Sequence, residues 1–196
     1  MSKNLSVLIP VHEPSDELVA VHEETVAELE TLGLEFEILY LLGTLASAPA
    51  DQVRALQEKD PERVRVLQFG TTAGQSAVIS AGFAEAEGEI LITIPPCFEV
   101  EASALGRLVE AVQQRADLAF APRGAREPGG GRLQSRLFNR IVSWAAGTEF
   151  SDVTTDTRAM RRRVMDEIPL YGEFHRYLPV LADRSGFNVE EVPAQE

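Results

Sequence analysis

The sequence is short of cysteine, of basic charge and of long apolar runs, and each shortage excludes something. A single cysteine, Cys97, rules out an intramolecular disulfide framework and any metal site built from several thiolates. It fits a reducing compartment. Eighteen Lys and Arg stand against 31 Asp and Glu, a net charge of −13. Nucleic acid and anionic headgroups are repelled on average, so no nucleic-acid partner is expected. The longest uncharged stretch, Ile38–Ala50, falls well below the ~20 apolar residues that span a bilayer. The opening MSKNLSVLIP has too short an apolar run for a signal peptide. No transmembrane segment is expected.

What is present reads as alternating strands and helices. At 196 residues, a single domain over 1–196 with a sizeable core is expected. Leu5–Pro10, Phe36–Leu42, Val64–Phe69, Glu89–Ile94 and Asp117–Ala121 are short apolar runs that read as buried strands. Ser15 is a candidate N-cap for a helix that carries Asp16 and Glu17 in its first turn and stops at Gly33. Further helices are expected at Ala50–Lys59, from Gly74 to Gly88, at Ala102–Arg115, at Arg132–Ala146 with Trp144 in its apolar stripe, near Arg161, and at Phe174–Arg184. Ala77, Ala81 and Ala84 share a small-residue face that would let their helix lie close to a sheet. The Gly/Pro-rich run from Arg126 to Arg132 reads as a loop, and Asn188–Val192 as an extended end. This alternation predicts an α/β fold, a mainly parallel sheet with helices on both faces. Ligands of such sheets bind beyond the carboxyl ends of the strands. Those ends are Pro10–Glu13, Leu41–Thr44, Gln68–Gly70, Pro95–Cys97 and Ala121–Arg123.

Four segments, in order, resemble the family 2 glycosyltransferases, and among them the polyprenyl-phosphate (dolichol-phosphate-type) mannose and glucose synthases. LSVLIPVHEP resembles the family's opening strand, IPVYNE. TTAGQSAVISAGFAEAEGEILITI resembles its N-x-G-x-s-x-A-x-x-x-G-x-x-x-A-x-G-d stretch. SDVTTDTRAMRRRV resembles the acceptor-side D-x-T-S-G-F-R motif, and FHRYLPVLADRSGFNVEEVP the H-R-F-I-P helix with its E-V-P ending. The resemblance implies the three-layer GT-A fold. It also implies a nucleotide sugar as donor and a polyprenyl phosphate as acceptor.

The departures bear on chemistry. Where the family has D-D-G-S after its second strand, this chain has Leu41, Leu42, Gly43 and Thr44. Where the family has the metal-binding D-x-D after its fourth, this chain has Pro95, Pro96 and Cys97. Leu and Pro side chains offer no ligand atoms, and a lone thiol is a soft ligand for Mg²⁺ or Mn²⁺. The divalent metal site is therefore expected to be lost, with no cofactor. Glu99 and Glu101 read as the start of the next helix, with an inward reach as the alternative.

Two functions follow. The first is a glycosyltransferase-like pseudoenzyme without metal-dependent transfer, binding a partner, a nucleotide or a lipid-linked sugar. The partner is an active glycosyltransferase or a membrane protein, with a plain scaffold as its weakest form. The alternative is an active, metal-independent transferase moving a sugar from a nucleotide sugar to a polyprenyl phosphate or other acceptor. A cytoplasmic protein is expected, any membrane contact being peripheral at the inner face through a partner. By resemblance, Asp152 is the acceptor-side acid or base, or else an N-cap, and His12 and Glu13 contact the nucleobase. His175 and Arg176 form the acceptor-side H-R pair. Arg123 and Arg158 are the cations best placed to meet phosphate, ahead of Arg126 and Arg132. Arg161, Arg162 and Arg163 read as a solvated face or a lipid-phosphate contact, and His22 as exposed.

Overall fold

A computed structural model describes residues 3–12, 15–43, 47–69, 74–123, 150–172 and 174–193. Its strands are β1 (Leu5–Val11), β2 (Phe36–Leu42), β3 (Val64–Gln68), β4 (Ile90–Thr93), β5 (Leu118–Phe120), β6 (Arg158–Arg161) and β7 (Val189–Glu191). Its α-helices are α1 (Leu18–Thr31), α2 (Ser47–Lys59), α3 (Gln75–Glu85), α4 (Ser103–Gln114), α5 (Arg162–Glu167) and α6 (Leu178–Arg184), with a 3₁₀ turn at Phe174–Tyr177. The strands form one sheet in the order β3-β2-β1-β4-β6-β5-β7. β6 runs antiparallel to both β4 and β5, and the other pairings are parallel.

Each strand feeds two cores, because successive side chains point to opposite faces. Leu5, Val7, Ile9 and Val11 of β1 join Phe36, Ile38, Tyr40 and Leu42 of β2 on the face covered by α1, α2 and α4. Leu8, Leu39, Leu41 and Leu91 point the other way, toward Val78, Ile79 and Phe83 of α3, Val164 of α5 and Leu178 of α6. Both faces are thus dry, which is why these strands read as unbroken apolar runs.

The amino ends of the strands are pinned by polar groups. Glu37, 1% exposed, accepts hydrogen bonds from the Ser6 hydroxyl, the Glu87 N–H and Arg65 Nη1, each at 2.7 Å. The Gly88 N–H donates to Ser6 Oγ at 2.8 Å. Of the three adjacent arginines, expected to be solvated or lipid-facing, Arg163 is exposed as expected, and all three also bond to the fold here. Arg161 donates to the carbonyls of Val112 and Ala116 at the end of α4. Arg162 donates to those of Phe83, Ala86 and Gly88 at the end of α3, and Arg163 pairs with Asp117. Cations at helix carboxyl ends satisfy carbonyls that the helix leaves open.

Several local expectations change. The buried face of α3 is Ser76, Val78, Ile79, Gly82 and Phe83, while Ala77 and Ala84 are exposed. Helical spacing allows either face, and the larger apolar side chains gain more from burial. The close approach is made at Gly82, where a Cβ would stand 2.7 Å from Leu41 Cδ1. Ser15 is not the N-cap of α1, a place held by Glu17; its hydroxyl donates to the Pro96 carbonyl at 2.6 Å. His22 is buried, 3.0 Å through Nδ1 from the Tyr40 hydroxyl. Burial lowers the His22 pKa. β6 was not expected, and the helix foreseen near Arg161 starts one residue later. The helix foreseen at Phe174–Arg184 opens as a 3₁₀ turn, and α6 starts next to Pro179, which cannot donate an N–H. The Gly/Pro-rich loop with Arg126 and Arg132, the Arg132–Ala146 helix with Trp144, and Glu13 lie outside the described residues.

Gly88 tests the tie between α3 and β1. A Cβ there would lie 2.6 Å from the backbone of Leu5 and Ser6, atoms that cannot swing aside. Gly88→Ala is expected to lower unfolding stability by about 2 kcal/mol, read as a lower urea midpoint. Gly74→Ala, where a Cβ meets nothing within 4 Å, should shift it far less.

Candidate active site

A cavity of about 340 Å³ opens beyond the carboxyl ends of β1 and β4. Pro10 near the end of β1 and His12 just after it stand in its wall, with Thr93 at the end of β4 and Ile94 to Cys97 beyond it. Ile79 and Phe83 of α3, Leu170 and Leu178 make the rest of the lining largely apolar. Asp156, Arg158 and His175 supply polar groups. Pro95 and Pro96 end β4, since neither can donate to a ladder. The loop that follows is held by α1: Ser15 reaches the Pro96 carbonyl, and the Phe98 N–H donates to Glu17 Oε2 at 2.9 Å.

Arg158 is the centre of the polar wall. It is 3% exposed. Its Nη1 donates to the His175 carbonyl, and Nη2 to the Arg176 carbonyl at 3.4 Å. Asp156 pairs with Nη2 at 3.6 Å. Its Nε–H is buried with no hydrogen-bond partner among the described residues. Burial pulls its pKa down, and Asp156 pulls against that. The other predicted cation, Arg123, is committed elsewhere. Its Nε and Nη2 reach the two oxygens of Asp152 at 2.8 and 3.2 Å, and Nη2 also reaches Thr154.

That pairing decides what Asp152 can do. Burial raises its pKa, but the bonds from Arg123 and Thr154 more than offset this and leave it below the ordinary carboxylate value. A carboxylate so stabilised is a weak proton acceptor. It caps its own turn as well, accepting from the Thr154 N–H at 3.2 Å.

Glu99 takes the inward of its two expected positions. Its Oε2 accepts from the Asp156 N–H at 3.1 Å, the Thr157 hydroxyl at 3.2 Å and the Thr155 hydroxyl at 3.4 Å. The β4–α4 loop is thereby fastened to the turn that presents Asp156 and Arg158. Burial, and then Asp156 close by, push its pKa up to about 6.

His175, 2% exposed, contacts Ser76 Oγ through Nδ1 at 2.9 Å. Arg176 contributes its carbonyl to Arg158, and the residue is exposed. His12 lines the wall near the β1 end, with Nε2 buried and no partner among the described residues. The structure thus gathers His12, Pro95, Cys97, Arg158 and His175 at one cavity, with Arg123 and Asp152 paired to each other. Leu41 and Leu42 do not line it; they pack into opposite cores. Asp156, which replaces the Gly of the acceptor-side motif and was expected to add negative charge beside Asp152, pairs instead with Arg158; Ser76 was not foreseen near the site and carries no signal within TTAGQSAV.

The donor set does not fit a hard divalent cation. The strand ends that would face one carry Leu41, Leu42, Pro95, Pro96 and a thiol. Asp156 is already paired with Arg158. No group of three or more His, Cys, Asp or Glu among the described residues could hold a metal ion. No described helix is long and apolar enough to cross a membrane.

The sequence profile described as Glycosyl transferase family 2 matches residues 6–169. An undecaprenyl-phosphate 4-deoxy-4-formamido-L-arabinose transferase of Erwinia tasmaniensis is 31% identical over 193 residues, 97% of this chain and 59% of that protein. Its counterpart in Edwardsiella ictaluri is 27% identical over 192 residues, with the same coverage. The chain therefore spans about three fifths of these relatives' length. Glucosyl-3-phosphoglycerate synthase from Mycobacterium tuberculosis, solved with Mn²⁺, UDP and phosphoglyceric acid, superposes with a TM-score of 0.75 at 17% identity. That match covers 98% of this chain and 69% of that one, and it shows a shared GT-A fold.

Glu99 gives the site a pH signature. Its folded pKa, about 6, lies above the ordinary 4.5. Its contribution to stability is therefore complete below the ordinary value and is lost as pH rises through the folded one. In Glu99→Gln that dependence disappears. The stability of the wild type relative to the variant should fall by about 2 kcal/mol between pH 4 and pH 7, measured by urea unfolding. Parallel profiles for the two proteins would show that Glu99 is not held as described.

Proposed function

The chain belongs to glycosyl transferase family 2, and we propose that it binds a nucleotide-linked sugar in the cavity and transfers the sugar to a polyprenyl phosphate without a divalent cation. The observation that carries this reading is the cavity's position beyond β1 and β4, with a buried guanidinium, Arg158, in its wall. The names of the relatives supply the acceptor class, undecaprenyl phosphate. In the transfer, the bond from the sugar's anomeric carbon to the nucleotide diphosphate breaks. A bond from that carbon to an oxygen of the acceptor phosphate forms. The acceptor is already an anion, so the weak basicity of Asp152 is no obstacle. Asp152 instead keeps Arg123 at the end of β5. The fixed positive charge of Arg158 is the feature able to steady negative charge near the cavity without a metal.

A second reading is binding without transfer. The observation favouring it is the absence of carboxylates at both strand ends, Leu41 with Leu42 and Pro95 with Cys97.

Calorimetric titration with UDP- and GDP-sugars tests the binding step. The expected result is association of the same strength with Mn²⁺ and with EDTA, weakened at least about tenfold in Arg158→Lys, which cannot reproduce the planar fork. Association only in the presence of Mn²⁺ would sink the proposal, and so would the absence of any association.

A further inference from the structure

Ser76 lies in the first turn of α3, 2% exposed. Its Oγ stands 2.8 Å from the Gly172 carbonyl oxygen and 2.9 Å from His175 Nδ1. A serine hydroxyl carries one proton, and a carbonyl oxygen carries none. The spacing to Gly172 is that of an O–H···O hydrogen bond. Without a proton between them, two oxygen lone pairs would be pressed together there. The hydroxyl proton therefore points to Gly172, and Oγ turns a lone pair to the imidazole. Nδ1 must then supply its own hydrogen. A neutral imidazole has only one N–H, so Nε2 is left with the lone pair.

We infer that Ser76 is a positioning residue that holds His175 in the Nδ1–H tautomer, so that this ring of the cavity wall carries its lone pair at the buried Nε2. The inference rests on the cavity being the ligand site. Arg158, also of the wall, has a buried Nε–H with no hydrogen-bond partner among the described residues. A lone pair at His175 Nε2 matches a hydrogen-bond donor such as a sugar hydroxyl or a secondary amide. It matches a phosphate oxygen poorly, because an ionised phosphate only accepts. His175 would thus read the sugar, and the Arg158 charge is left to the diphosphate.

The tautomer is directly observable in the ligand-free protein. Long-range ¹H–¹⁵N correlation spectra of ¹⁵N-histidine-labelled protein at pH 7.5 distinguish a protonated ring nitrogen from a bare one. The three histidines are assigned with His12→Gln and His22→Gln. The expected result is one His175 species, protonated at Nδ1 and bare at Nε2. Ser76→Ala, with its fold checked by circular dichroism, should give a mixture of tautomers or the Nε2–H form. Addition of inorganic phosphate should leave the wild-type pattern unchanged. An Nε2–H or doubly protonated His175 in the wild type overturns the inference. So does an unchanged Nδ1–H form in folded Ser76→Ala, or conversion to a donor at Nε2 on adding phosphate. If Ser76→Ala does not fold, the wild-type spectrum decides alone. None of these outcomes depends on nucleotide-sugar binding, so the two proposals fail separately.

Discussion

The burial of one guanidinium organises the ligand end of this molecule. Removing Arg158 from water costs several kcal/mol unless its donors are filled. The chain fills two nitrogens with the carbonyls of His175 and Arg176 and sets Asp156 beside them. Those carbonyls belong to the 3₁₀ turn between the Leu170 segment and α6, so satisfying Arg158 fixes that turn against β6. Ser76 adds a second tie from α3 through Gly172 and His175. The cavity wall is what remains when these demands are met. It is apolar where α3 and α6 supply it, and polar where the buried cation and imidazole stand.

The two ends of the sheet use the same residue types differently. At the amino ends, arginines close helices: Arg161 covers α4, Arg162 covers α3, and Arg65 neutralises the buried Glu37. Each of these arginines is occupied by another part of the fold. At the carboxyl ends, Arg123 is occupied by Asp152, while Arg158, in the cavity wall, keeps a buried Nε–H with no hydrogen-bond partner among the described residues. A parallel sheet has this asymmetry built in, because the crossover loops gather at one end. Glu99 joins the two halves of that end, reaching from the β4–α4 loop to the Thr155–Thr157 turn. The loop with Pro95, Pro96 and Cys97 is thus held by α1 on one side and by this turn on the other.

The strands β1, β2, β4 and β5 were legible because each is a largely apolar, buried run, and the edge strand β3 because Val64, Val66 and Leu67 stand out between polar residues. β6 was not, since RAMR has two charged residues in four and gains its burial from β4, β5 and α4, all distant in sequence. The alanine face of α3 misled, because Gly82, not an alanine, meets the Leu8 and Leu41 side chains. The arginine triplet gave no sign of its purpose, since the carbonyls it caps lie far away in sequence. Motif order singled out Arg158, Asp152 and His175; the first and last line the cavity, and Asp152 is paired with Arg123. Their partners were hidden for the same reason: Arg123 and Asp152 are 29 residues apart, and Ser76 and His175 are 99 apart. Side-chain pairing over such separations is set by the fold and not by local pattern.

The family membership and the departures from its motifs pull in different directions, and the cavity reconciles them. The carboxylates that would hold a divalent ion are replaced by Leu, Pro and Cys, yet the cavity beyond β1 and β4 remains open and carries a fixed cation. On the proposed reading, sugar transfer in this site draws on fixed positive charge in the protein. The direct measurement is the single-turnover rate of sugar transfer from a UDP-sugar to undecaprenyl phosphate, first in EDTA and then with saturating Mn²⁺. Equal rates in the two conditions are the predicted result; transfer that appears only with Mn²⁺ contradicts it.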